Sequence, residues 1–166
     1  HESPRRGENF VTRKITLTLA RMLAGTQDCL FLGNLEAKRD WGYAKEYVEG
    51  MWMMMQQPEP DDFVLATGKV YSVREFLEQC LTHAGYTFKR EGEGQNEMYV
   101  DTRTGKKIVG IDPHYYRPAE VDFLCGDASK AKKKLGWEAK TDLATLASLM
   151  LQEDCRLLGV SLPKGS

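Results

Sequence analysis

Residues 72–85, SVREFLEQCLTHAG, mark a helix at both of its ends, and this stretch constrains the fold most. Ser72 and Glu75 have the spacing of a capping box, in which each side chain satisfies a free amide at the helix start. Gly85 provides a left-handed stop. Between them Phe76, Leu77, Cys80, Leu81 and Ala84 recur at helical spacing and make one apolar face. Just upstream, DFVLATG is rich in β-formers and closed by Gly68, which predicts a strand.

The rest of the chain repeats this mixture. Residues 1–9 read as a loop punctuated by Pro4, Gly7 and Asn9. Val11, Ile15, Leu19, Met22 and Leu23 predict a helix over residues 11–23, stopped near Gly25. CLFLG reads as a short buried strand and EAKRDWG as a polar turn. YAKEYVEGMWMMMQQ predicts a second helix, stopped by Pro58. EGEGQNEM reads as a polar loop, and KKIVGID as a strand after the turn signal at Thr104 and Gly105. DASKAKKKLGW predicts a short helix capped by Asp127 and ended by Gly136. Leu143, Leu146, Ala147, Met150, Leu151 and Leu158 mark a last amphipathic helix. No internal repeat or low-complexity linker interrupts this helix-rich α/β pattern.

Bulk properties narrow the function classes. The chain has 166 residues, enough for one domain with a real core. Its net charge of −1 gives no electrostatic footprint for nucleic acid or an anionic membrane. The longest apolar run, residues 48–55, is short and broken by Glu49 and Gly50, which argues against a membrane span. Cys29, Cys80, Cys125 and Cys155 are scattered without CxxC spacing, which fits free thiols in a reducing, cytoplasmic setting. His1, His83 and His114 have no metal-ligand spacing, so no metal is expected. The sequence opens at His1 without Met and closes in PKGS, which reads as a piece of a longer protein.

The chain holds no GxGxxG turn, no GxSxG elbow, no P-loop and no Tyr-x-x-x-Lys pair. No catalytic residue is therefore expected in it. It does hold three candidate anion clamps. In HESPRRGENFVTRK, Arg5 and Arg6 precede a helix start, and Lys14 lies one turn inside, within reach of a carbonyl on a purine base. The bland alternative is a solvated basic loop. In GNLEAKRDWGYAKEYV, Arg39 is either a phosphate ligand or half of a surface pair with Asp40. In YYRPAEVD, Pro118 pushes Arg117 to extended backbone, which suits two separate contacts: a diphosphate for Arg117 and a ribose hydroxyl for Glu120. A local ion pair is the alternative there. Trp41, Trp52 and residues 53–55 read as packing rather than as a cofactor box.

Taken in order, HESPRRGENFVTRKI, LGNLEAKRDWGYAKEYVEGMW, ATGKVYSVREF and YYRPAEVDFLCGDASKAKKKLGW resemble the C-terminal half of the GDP-mannose 4,6-dehydratases. These belong to the extended short-chain dehydrogenase/reductase group. The resemblance implies an α/β, helix-rich substrate-binding portion over residues 1–166, with a few elements that would complete a missing N-terminal Rossmann domain. It implies that His1, Glu2 and Arg6 border an NADP cofactor held mainly by that other half. It places Val11 and Lys14 near the guanine, and Val70 and Tyr71 at the base pocket. It puts Arg39 and Arg117 on the diphosphate and Glu120 on the ribose. The family's reaction oxidises C4 of GDP-mannose at bound NADP, loses water across C5 and C6, and returns the hydride to C6. The product feeds deoxyhexose synthesis such as GDP-fucose. The resemblance also implies a homodimer or homotetramer when full length, and an inactive chain when alone. Cut loose, DFVLATG would lose its sheet partners. Two rivals stand beside this reading: a non-catalytic nucleotide-sugar binding module, and a UDP- or dTDP-sugar dehydratase or epimerase.

Overall fold

A computed structural model describes residues 1–116 and 123–163. Three helices form its centre: α1 (Val11–Leu23), α3 (Val73–His83) and α5 (Leu143–Leu157). Their apolar faces meet through Ile15, Leu19, Phe76, Leu77, Leu81, Leu146, Met150 and Leu151, all essentially solvent-free. The capping box forms as its spacing predicts: Ser72 Oγ accepts from Glu75 N at 3.1 Å, and Ser72 N donates to Glu75 Oε2 at 2.6 Å. Ser72→Ala breaks it, and thermal unfolding should register a loss of about 1 kcal/mol, a fall in Tm of roughly 3 °C.

Two sheets flank this centre. The first runs β1 (Leu30–Leu32), β6 (Lys107–Ile111), β5 (Met98–Asp101), β4 (Phe88–Glu91), parallel at the first pairing and antiparallel at the others. The β4–β5 hairpin falls partly in a stretch read from sequence as loop. Its charged residues Lys89 and Arg90 lie on an edge strand and mask the β-forming Phe88. The second sheet, β3 (Tyr71–Ser72), β2 (Lys38–Arg39), β7 (Phe123–Leu124), has strands of two residues each. β2 occupies the segment expected to be a turn.

A smaller core joins α2 (Ala44–Met55) to α4 (Ser129–Leu135) through Tyr47, Ala131, Leu135 and Trp137. On the other face of α2, Trp52 and Met55 are 64% and 81% exposed. The helix endings at Gly85 and Gly136 follow the sequence, whereas the expected cap shifts: Ala128 is the N-cap of α4, and Asp127, one residue before it, accepts from Ser129 N at 2.8 Å. DFVLATG is a correction: residues 62–68 form no strand. A strand exists only as half of a pair, and among the described residues this segment makes no backbone–backbone hydrogen bond. Its side chains still alternate. Phe63 and Leu65 turn toward the α2–α4 core, while Val64 is exposed.

Candidate functional site

The described residues place the candidate ligands in three groups. The first is the opening loop. Glu2 N donates to Gly42 O and Glu2 O accepts from Ala44 N, both at 2.8 Å, which lays the loop alongside the start of α2. The His1 ring packs on Tyr47, with centroids 3.9 Å apart. Burial, with Asp40 and Glu46 nearby, pushes the Tyr47 hydroxyl up to about 12. Glu2 is only 5% exposed; its carboxylate accepts from Thr12 Oγ1 and lies 3.4 Å from Arg6 Nε. The Arg6 guanidinium covers the Phe10 ring at 3.4 Å, and Nε is buried without a hydrogen-bond partner.

Behind the loop stands Arg13, which the sequence reading did not single out. Its Nη1 donates to the carbonyls of Pro4 and Arg6, and its Nη2 meets Asp154 Oδ1 at 2.7 Å. Asp154 is fully buried on α5 and also accepts from Thr16 Oγ1 at 2.7 Å. Burial raises its pKa, against the opposing pull of Thr16 and Arg13.

The second group is on α1. Val11 packs against the main core, and Lys14 lies one turn further on. Lys14 Nζ sits 3.1 Å from the centroid of the Tyr115 ring, a cation–π contact. Burial lowers the Lys14 pKa, and the nearby Asp112 works against that. Gly33 makes the arrangement possible, because a Cβ there would meet Tyr115 O at 2.4 Å. Tyr115 belongs to the quoted YYRP stretch, but nothing in its spacing points to a lysine a hundred residues earlier.

The third group is the small sheet. Arg39 on β2 is the register partner of Tyr71 on β3, with Val70 just before it. Arg39 Nη1 donates to Lys38 O at 2.8 Å. Asp40 is a shared acceptor. Its two oxygens accept from Thr67 N, Thr67 Oγ1, Gly68 N and Gly126 N. Arg74 braces the approach to β2: its Nε donates to Glu36 Oε1 at 2.9 Å, its Nη2 to Glu97 Oε2 at 2.9 Å and its Nη1 to Tyr99 Oη at 2.9 Å. Arg117 and Glu120 lie outside the described residues. Among the described residues no cluster of three or more ligand side chains could hold a metal, and no helix is long and apolar enough to cross a membrane.

This arrangement of two sheets around a helix trio has counterparts among solved structures. It matches part of the chain of extended short-chain dehydratases and epimerases that act on nucleotide sugars. RMD from Pseudomonas aeruginosa, solved with NADPH, superimposes with a TM-score of 0.74 at 17% identity, over 93% of this chain and 46% of that one. UDP-glucose 4-epimerase from Thermotoga maritima, solved with UDP-glucose, gives 0.66 at 25% identity, over 94% and 42%.

The sequence comparison is narrower: the family model for GDP-mannose 4,6 dehydratase matches residues 1–150, and the chain belongs to that family. The GDP-mannose 4,6 dehydratases of Cricetulus griseus and Homo sapiens are 54% and 53% identical over 158 residues, which is 95% of this chain and 42% of each relative. That of Sinorhizobium fredii is 54% identical, over 95% and 45%. The chain thus spans less than half the length of these relatives.

Proposed function

We propose that this chain is the substrate-binding part of a GDP-mannose 4,6-dehydratase, which converts GDP-mannose to GDP-4-keto-6-deoxymannose and serves deoxyhexose synthesis in the cytoplasm. The supporting observation is a coincidence of two findings. The family match over residues 1–150 covers the small sheet that sets Arg39 opposite Tyr71. In this reading Arg39 and Arg117 grip the diphosphate, since the guanidinium fork suits phosphate oxygens. Glu120 accepts from the ribose. Lys14 donates to the carbonyl of guanine, with Val11, Val70 and Tyr71 around the base. Binding energy from the nucleotide holds the sugar in place for chemistry carried out by residues outside this chain.

A nicotinamide cofactor, taken here as NADP, fits the opening loop. The buried Arg6 Nε lacks a hydrogen-bond partner there, and Arg5 and His1 are exposed residues. When bound, that cofactor supplies reversible hydride transfer. His1, Glu2 and Arg6 would border it, the remainder of the site coming from the other half of a complete enzyme. Alone, this chain would bind without turnover, and the complete enzyme would be a homodimer or homotetramer.

Competition separates the base classes. Free GDP should displace GDP-mannose from the complete protein at lower concentration than UDP. Lys14→Met should narrow that gap about tenfold, the value of one ~1.4 kcal/mol interaction. Equal displacement by GDP and UDP in the wild type would count against a guanine site.

A further inference from the structure

We propose that Asp40 is a positioning residue for the nucleotide-sugar site: its carboxylate stands in for the ladder length that the β3–β2–β7 sheet lacks, and so sets Arg39 and Tyr71. In its substrate terms this inference rests on the function proposed above.

Among the described residues each strand of that sheet has two residues. β2 pairs with β3 through Lys38–Ser72 and Arg39–Tyr71, and with β7 through Lys38–Phe123 and Arg39–Leu124. Two residues is well below the usual strand length of about five or six, so the ladder supplies few hydrogen bonds to hold its register. Because β3 runs antiparallel to β2 and β7 parallel to it, three chain segments converge at one end of the sheet. They are the residue after β2, the residues before β3, and the residues after β7. Asp40 is the first of these. Its Oδ1 accepts from Thr67 N at 2.9 Å and Thr67 Oγ1 at 2.6 Å, and its Oδ2 from Gly68 N at 3.0 Å and Gly126 N at 3.2 Å.

The convergence is tight: a Cβ on Gly126 would lie 2.3 Å from that of Ala66. Four donors from the flanking segments thus share one acceptor-only group. Three of the donors are backbone amides, so only an acceptor at this place serves them. Asn has nearly the same shape but presents a donor on one side. It would leave either the Thr67 pair or the Gly68 and Gly126 pair facing an NH₂ group.

The test uses the complete protein with two variants, Asp40→Asn and Thr67→Val. Asp40→Asn should raise KM for GDP-mannose at least tenfold and leave kcat within about twofold, the pattern of lost uniform binding. Amide hydrogen exchange should quicken at Thr67, Gly68, Gly126 and along β2 and β3, while α3 and α5 keep their protection. Thr67→Val removes one donor and should raise KM about threefold alone, but add little to Asp40→Asn, because the two act through one contact.

A KM within twofold of wild type in Asp40→Asn overturns the positioning role, even where exchange changes locally. Exchange that quickens equally in α3 and α5 overturns it too, since Asp40 would then be a general stabiliser. A wild-type protein that does not bind GDP-mannose refutes the functional reading instead. The exchange pattern judges the carboxylate clamp in that case as well.

Discussion

Arg13→Met should destabilise the chain by about 3–5 kcal/mol, the cost of leaving a buried charge without its partner. In a chain of this size, thermal unfolding would show that as a fall in Tm of roughly 10 °C. The reason lies in what Arg13 joins: the buried carboxylate of Asp154 on α5 and two carbonyls of the opening loop. Methionine fills similar space and offers no donor. The loss should also depend on pH. Asp154 already has a raised pKa because of burial, and Arg13 is one of the groups that hold it down. Without Arg13 it rises further. A carboxyl with a raised folded pKa contributes stability that is present below its unfolded value and lost as pH rises through the folded one. The gap between variant and wild type should therefore be widest at neutral pH and narrow toward the ordinary carboxylate value of 3.8. Melting both proteins at neutral and mildly acidic pH checks this. A gap that does not change with pH would assign the effect to the Pro4 and Arg6 carbonyls alone.

The second large effect concerns ligand. In the complete enzyme, Arg39→Ala should raise KM for GDP-mannose about a hundredfold, or ~2.8 kcal/mol at 1.4 kcal/mol per decade. That magnitude is ordinary for losing a charge-assisted contact from a bound ion pair. Arg39→Lys should recover only part of it, because an ammonium is a point charge and not a fork. Steady-state kinetics on the three proteins suffices, and an unchanged KM in Arg39→Ala removes this residue from the site. Arg39 is chosen for this test because it pairs in register with Tyr71 and is followed by the Asp40 clamp.

Much of the helical framework was legible in advance. The ends of α3 are written in Ser72, Glu75 and Gly85, and α1 follows from its apolar spacing. Such signals are local, so a linear reading finds them. The failures share another cause. DFVLATG has strand composition, but composition does not supply a pairing partner, and the segment has none among the described residues. β2 was hidden in a polar, turn-like run because its existence depends on residues far along the chain. The proposed site shows the same division. Arg39 and Lys14 stand out by type and context. Asp40 was undervalued because its partners are 27, 28 and 86 residues away. Tyr115 meets Lys14 only through the close packing at Gly33.

The bond from Thr16 to Asp154 spans 138 positions, and α5 supplies a large share of the apolar surface that α1 and α3 bury. During synthesis, then, α1 emerges well before α5, with its inner face uncovered. It waits for almost the whole of the described chain before its partner arrives. Contacts of such separation slow folding and prolong the interval in which apolar surface is open to other chains. A nascent chain cut before Leu143 would hold α1 and α3 with no third helix to seal them. It should be a target for chaperones and proteases. Helix α5 thus acts as the checkpoint of assembly, because its Asp154 meets the Arg13 that ties down the opening loop.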